Sequence, residues 1–274
     1  MAGPFRMRKI ATRLRQELYR RERRQFIPAN AMAEDIYLVS FPKSGNHWLR
    51  FLLANAIKAH YAMDREVNFF TIDDLIPNIH MVTGNLQTAG PFGRPELPRL
   101  IKSHCDYNPY YNRVLLLVRD PRDVFISYYH FLRDRQMIPE AWAISSFIRH
   151  PKHGAAAWAT HTHSWCAHVK AGQHIQLFSY EAFLQDTPQQ LDRLMRTLGL
   201  CLSDENQETA IKLSSKTAMR LSEGQHRSLT LSQSRHAPLV RQGEATHGKS
   251  LEEADRHYIE DTTRHAARLV GYDY

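Results

Sequence analysis

The first stretch of this chain that can do chemistry is Pro42-Lys43-Ser44-Gly45-Asn46-His47. It follows an apolar run, Tyr37-Leu38-Val39-Ser40-Phe41, and precedes a helical stripe of Trp48, Leu49, Leu52, Leu53, Ala56 and Ile57. Strand, tight loop and helix start make an anion pocket: loop N–H groups and the positive helix end converge on one phosphate. Lys43 adds a mobile cation at the rim, and Gly45 lets the backbone approach closely. This is not the nucleotide-triphosphate loop Gly-x-x-x-x-Gly-Lys-Ser/Thr, because Lys43 precedes Gly45 and Asn46-His47 stand where a magnesium-binding hydroxyl belongs. Alone, the loop reads equally as a phosphate pocket without a standard magnesium site and as an ordinary βα turn. A second segment shifts that balance. Arg113-Val114-Leu115-Leu116-Leu117-Val118 is a short continuous apolar run, the pattern of a buried strand. It runs into Arg119-Asp120-Pro121-Arg122-Asp123, where Asp120 suits a helix N-cap and Pro121 a first helical turn. Val124, Phe125, Ser127, Tyr128 and Phe131 follow, so Arg119 ends a second strand and Ser127 can point back toward the same place.

Together the two segments resemble the cytosolic-type sulfotransferases, including bacterial-type members, which use 3′-phosphoadenosine 5′-phosphosulfate (PAPS). Phe41-Pro42-Lys43-Ser44-Gly45-Asn46-His47-Trp48 is similar to that family's 5′-phosphosulfate loop. Val118-Arg119-Asp120-Pro121-Arg122-Asp123-Val124, with Ser127-Tyr128-Tyr129, is similar to its 3′-phosphate segment. The resemblance runs from about Asp35 to Tyr272. Leu100-Ile101-Lys102-Ser103-His104 occupies the place of a Lys-Thr-His segment whose His is the catalytic base. Ile175 to Glu181 resembles a strand whose Tyr-Glu end, here Tyr180-Glu181, lies near the adenosine. Leu239-Val240-Arg241-Gln242-Gly243 resembles the Arg-Lys-Gly piece of a late loop that closes on the 3′-phosphate. The chain departs from the family at Asn46-His47, where Thr-Thr is usual, and at Lys216, which replaces an aromatic over adenine in Ser214-Ser215-Lys216-Thr217-Ala218-Met219. It departs again at Thr246-His247-Gly248-Lys249, where Gly-Asp-Trp-Lys is common.

The resemblance implies in-line sulfuryl transfer from PAPS to a hydroxyl acceptor, with no metal. Catalysis is then alignment plus charge stabilisation. His104 would take the acceptor proton, Lys43 would meet charge on the leaving phosphate, and Lys102 would share a strand face with His104 and stabilise sulfonyl oxygens. The donor would contact Lys43, Ser44, Gly45, Asn46, His47, Trp48, Arg119, Ser127, Tyr180, Ser215, Arg241, Gln242 and Gly243. Arg forks suit the 3′-phosphate dianion, and Trp48 suits stacking on adenine. Two rival readings remain: a P-loop-like ATP-dependent kinase and a non-catalytic polyanion-binding module. The misplaced Lys43 and missing metal hydroxyl oppose the first; intact Lys43, His104 and Arg119 oppose the second.

The elements that must position these residues follow from the pattern. Strands are expected at Asp35–Phe41, Arg99–Ser103, Arg113–Val118 and His174–Ser179, and helices at Gly45–Ala62, from Pro121 to about Arg133, and at Ala155–Ala171, Glu181–Leu198 and Leu251–Val270. Val67–Leu97 is rich in Gly and Pro and suits an acceptor-pocket wall. Ser214–Gly248 is polar and reads as irregular. Alternating β and α elements imply a single α/β domain, a P-loop-like parallel sheet flanked by helices, with ligands beyond the carboxyl ends of the strands.

Composition sets the outer bounds. The 274 residues, 43% hydrophobic, suffice for one large domain. No apolar run approaches the roughly 20 residues that cross a bilayer. Cys105, Cys166 and Cys201 are scattered and odd in number, against a disulfide framework, and the first residues lack a signal-peptide core. These features set the expectation of a cytoplasmic protein. His161, His163 and His168 have no acidic or Cys partner at ligand spacing, so no metal site is expected. Residues 1–30 hold nine Arg and Lys against Glu17 and Glu22, which is +7 of the chain's +8. The rest is nearly neutral, so no nucleic-acid partner is implied. Met7, Ile10, Leu14 and Leu18 form one stripe, so residues 1–30 read as a basic amphipathic N-terminal helix ahead of a 31–274 sulfotransferase domain. Such a helix either packs on the domain or docks peripherally on an anionic membrane surface. Its charge favours a carbohydrate or lipid-linked acceptor over a small phenol. The oligomeric state is not readable.

Overall fold

Period-two alternation in the strands builds two cores on one sheet. Ile36–Ser40 (β1) and Arg113–Val118 (β3) carry apolar residues on both faces, as a strand covered on both sides must. Ile36, Leu38, Leu115 and Leu117 enter one core; Tyr37, Val39, Val114, Leu116 and Val118 enter the other. Leu100–Ser103 (β2) and His174–Ser179 (β4) complete a four-stranded sheet of order β2-β1-β3-β4. Every pairing is parallel, with Leu38 opposite Lys102 and Leu115, and Val118 opposite Ser179. This is the expected α/β domain. The structure, a computed structural model, describes residues 21–82, 84–87, 90–167, 173–229 and 245–274.

The helices are α1 (Asn46–His60), α2 (Ile72–Leu75), α3 (Pro121–Asp134), α4 (Ile144–Ile148), α5 (Ala155–Ala167), α6 (Tyr180–Gln185), α7 (Thr187–Arg196), α8 (Asp204–Leu213), α9 (Lys216–Leu229) and α10 (Glu253–Leu269). Helices α1, α2, α7 and α8 cover the first core; α3, α4, α5 and α10 cover the second. Two expectations need correction. Glu181–Leu198 is two helices, because Asp186 stops α6 and caps α7 by accepting the Gln189 N–H at 2.9 Å, with Pro188 in the new first turn. Ser214–Gly248 is not irregular throughout: α9 fills its first part, and its polar sequence buries only a narrow stripe that includes Met219 and Glu223. Residues 1–20, which hold the N-terminal stripe, lie outside the described residues. Residues 21–24 are helical, and Tyr111 Oη donates to the Phe26 carbonyl at 2.8 Å.

At the amino ends of β1 and β2, away from the Lys43 loop, Arg99 clasps Asp35 through Nε at 2.7 Å and Nη2 at 2.6 Å, both groups buried. That pair ties the starts of β1 and β2 together. The opposite ends of the strands are therefore free to carry the loops that form the site.

Candidate active site

β1 ends at Ser40, and the chain turns at once. Lys43 adopts φ 67° and Gly45 φ 99°. The left-handed conformation costs a non-glycine residue about 1–2 kcal/mol, so the Lys43 turn stores strain. Gly45 is required on two counts. Its φ disfavours any side chain, and a Cβ there would lie 2.5 Å from Tyr180 Cδ2. α1 starts at Asn46 with no side-chain cap, which leaves its first N–H groups pointing at the loop's concavity.

A cavity of about 520 Å³ opens over this turn. Lys43, Gly45, Asn46, His47 and Trp48 line it from the loop and α1, Lys102 from β2, His104 and Arg119 from just past the ends of β2 and β3, and Ser127 from α3. Tyr180 and Ser215 complete the wall. No carboxylate lines it among the described residues. Arg119 lies with its guanidinium 4.3 Å from the centre of the Tyr180 ring and its Nη1 3.4 Å from the Lys43 carbonyl, so the two phosphate segments touch. Lys43 Nζ lies 4.5 Å from the centre of the Phe131 ring. Trp48 meets Tyr180 edge-on at 5.5 Å.

Not every sequence candidate faces the cavity with its side chain. Ser44 is fully buried and off the lining. Asn46 turns its amide toward β1, donating to the Leu38 carbonyl at 3.2 Å and Ser40 Oγ at 3.1 Å. Its backbone N–H, not its side chain, remains for a phosphate. Ser215 Oγ caps α9 by accepting the Ala218 N–H at 3.3 Å. Arg241, Gln242 and Gly243 lie outside the described residues. Lys216 does line the cavity, as do Tyr128, Phe131 and Met137, which sequence reasoning left unassigned to the site.

The candidate base is held in one tautomer. His104 Nδ1 donates to the Ser40 carbonyl at 2.7 Å, which leaves Nε2 as a lone-pair acceptor. Burial, reinforced by the Lys102 charge, holds the His104 pKa well below its ordinary value. Burial and the Arg50 guanidinium, with smaller contributions from Lys102, Lys43 and His104, do the same to His47. Both imidazoles are thus uncharged at neutral pH. Burial, then Arg50, lowers Lys102 to about 8. Arg50 itself is buried and donates to Asp73 Oδ1 at 2.6 Å and to the carbonyls of Ile72 and Ile76.

The α3 end of the site is braced from far along the chain. Asp123 accepts the N–H groups of Thr246, His247 and Gly248 at 2.8, 3.2 and 3.1 Å, and the Thr246 hydroxyl. Asp120 accepts from the Arg122 side chain and lies 3.0 Å from His247 Nδ1. No local pattern announces this clamp; the acidic first turn of α3 was its only trace.

A parallel sheet with two basic strand ends over one uncapped helix N-terminus makes an anion-binding site of the α/β class. The chain belongs to the sulfotransferase family: residues 33–268 match the family model for the sulfotransferase domain. Human sulfotransferase 2A1 is 27% identical over 219 residues, which is 75% of this chain and 72% of that protein. Among solved structures, retinol dehydratase in complex with androsterone and the inactive cofactor PAP superposes with a TM-score of 0.64 at 17% identity, covering 89% of this chain and 83% of that one. Mouse sulfotransferase SULT7A1 complexed with PAP gives 0.59 at 19% identity, covering 89% and 86%. The kinase reading is not favoured. No group of three or more His, Cys, Asp or Glu that could hold a metal occurs among the described residues, and no helix among them is long and apolar enough to cross a membrane.

Proposed function

We propose that this sulfotransferase draws its sulfuryl group from PAPS and passes it to a hydroxyl acceptor, with the donor laid from the Lys43 loop to Arg119. The observation that carries the reading is that Lys43, Lys102, His104, Arg119 and Ser127 share one cavity at the carboxyl ends of β1, β2 and β3. Backbone N–H groups at the start of α1 hold the 5′-phosphosulfate, and Arg119 with Ser127 holds the 3′-phosphate, joined by Arg241 and the following Gln242-Gly243. Trp48 and Tyr180 flank the adenine, with Ser215 beside them. His104 Nε2 removes the acceptor proton as sulfur moves to oxygen. Lys43 meets the negative charge left on the bridging oxygen, and Lys102 the charge on the sulfonyl oxygens.

For the acceptor, Tyr128, Phe131, Leu132 and Met137 line the same cavity and suit an apolar or aromatic body carrying the hydroxyl. The second reading is a lipid-linked or polymeric carbohydrate at an anionic surface, favoured by the +7 charge of residues 1–30. Incubation of the protein with ³⁵S-PAPS and cell extract tests both. Label in an organic-soluble small molecule supports the first reading, and label in a polymer or glycolipid the second. No transfer above that of a boiled control would sink the donor assignment. Removal of residues 1–20, which leaves the packed Arg23–Phe26 turn intact, should abolish binding to phosphatidylserine vesicles if the surface reading holds.

A further inference from the structure

The candidate base is secured at two points, and only one of them belongs to its ring. Beyond the Nδ1 bond to Ser40, the backbone N–H of His104 donates to His80 Nε2 at 2.9 Å. The parallel ladder between β1 and β2 has ended one residue earlier, at the pair Val39 and Ser103. The imidazole of His80 therefore takes a backbone donor that the sheet no longer serves.

His80 is brought there by an extra edge on the sheet. The Lys102 N–H donates to the Pro77 carbonyl at 2.8 Å, and the Ile79 N–H donates to the Lys102 carbonyl at 3.0 Å. Asn78 Oδ1 then accepts the His80 N–H at 3.3 Å, turning the chain across the end of β2. The His80 ring lies nearly parallel to that of His104, 19° apart with centroids at 6.0 Å, and is backed by Phe26 at 5.1 Å. Because Nε2 accepts, the ring proton sits on Nδ1. Lost hydration and the Lys102 charge hold the His80 pKa below its ordinary value, so the accepting form persists at neutral pH. His80 does not line the cavity.

We propose that His80 is a positioning residue for sulfuryl transfer: it fixes the backbone of His104, as Ser40 fixes its ring, so that Nε2 stays aimed at the acceptor hydroxyl. The inference rests on His104 being the base. A displacement of about 1 Å at a reacting group can cost about 10²-fold in rate. An exposed bond that water can partly replace is worth less, so His80→Leu should lower kcat about tenfold.

The test measures ³⁵S transfer from PAPS into the acceptor fraction that wild type labels. Alongside it run PAP affinity by calorimetry and the ¹⁵N shifts of the His104 ring in the PAP complex. His80→Leu is expected to lower kcat with the KM for PAPS and the PAP affinity within twofold, and to move the His104 shifts. His80→Gln, whose amide oxygen can accept the same N–H, should restore most of both. An unchanged kcat and unmoved shifts in His80→Leu, or a loss that falls instead on PAP affinity, or a Gln variant no better than Leu, would overturn the role. A flat His80→Leu beside an inactive His104→Ala overturns the His80 assignment alone, whereas a fully active His104→Ala overturns the base assignment with it.

Discussion

Lys102 should move activity and stability in opposite directions as pH rises. Its amine is buried beside the Arg50 guanidinium, and these two lower its pKa from 10.5 to about 8, with Asp73 acting against them. Only the ammonium form can stabilise a sulfonyl oxygen. In the free enzyme, kcat/KM for PAPS should therefore fall above pH 8, approaching about tenfold per pH unit. Stability runs the other way. Between about 8 and 10.5 the unfolded chain still holds the Lys102 proton and the folded chain has released it, so the fold gains stability as pH rises. At about 1.4 kcal/mol per pH unit the full gain is bounded near 3 kcal/mol. Buried tyrosines oppose this at the alkaline end: burial raises Tyr37 and Tyr111, so their phenols stay protonated in the fold after the unfolded chain starts to ionise. Comparison with Lys102→Met removes their contribution, because both proteins share it. Urea unfolding of the ligand-free proteins at pH 7.5, 8.5 and 9.5 should show wild type gaining about 1–2 kcal/mol on Lys102→Met across the range. The alkaline fall in kcat/KM should be missing from the variant. Parallel stability curves, together with an alkaline limb that survives in Lys102→Met, would refute a working ammonium at this position.

Three further outcomes follow from the geometry. His104→Ala should lose about 10²–10⁴ in kcat while PAP affinity by calorimetry stays within a few-fold; wild-type turnover would remove the base assignment. In Gly45→Ala the new Cβ would meet Tyr180 at 2.5 Å and push the ring from beneath Arg119, so PAP should bind at least about tenfold more weakly, or about 1.4 kcal/mol. Equal affinity would show that the loop relaxes without cost. Asp123→Asn turns a buried acceptor oxygen into a donor facing the Thr246, His247 and Gly248 N–H groups and should cost about 2–3 kcal/mol in urea unfolding. A loss under about 0.5 kcal/mol would mean that the clamp holds nothing.

What the sequence made legible was what local pattern encodes. Tyr37-Leu38-Val39 and Arg113 to Val118 announce buried strands, because an element covered on both faces can hold no polar row, and the loops that follow carry their turn chemistry within a few residues. The helix break at Asp186 was also local: Asp186-Thr187-Pro188 carries a capping signal that the single helix expected over Glu181–Leu198 passed over. The His80 contact and the Asp123 clamp were illegible for a different reason. Each joins residues far apart in the chain, His80 to His104 and Asp123 to 246–248, and no periodicity links the partners.

Residue type alone also cannot say which way a side chain turns, and at Asn46-His47 that choice separates two roles. Both residues replace family threonines beside the loop glycine. Asn46 spends its amide on β1, donating to Ser40 Oγ, the residue whose carbonyl holds the His104 ring. His47 lines the cavity with its ring 6.3 Å from Phe69, but none of the described residues in 67–97, the segment expected to wall the acceptor pocket, lines that cavity. The phosphate loop thus reaches the candidate base through Asn46 and the segment after α1 through His47. An imidazole kept neutral by burial first, and then by Arg50, Lys102 and Lys43, can offer a donor to an anion without adding charge to a cavity already rich in it.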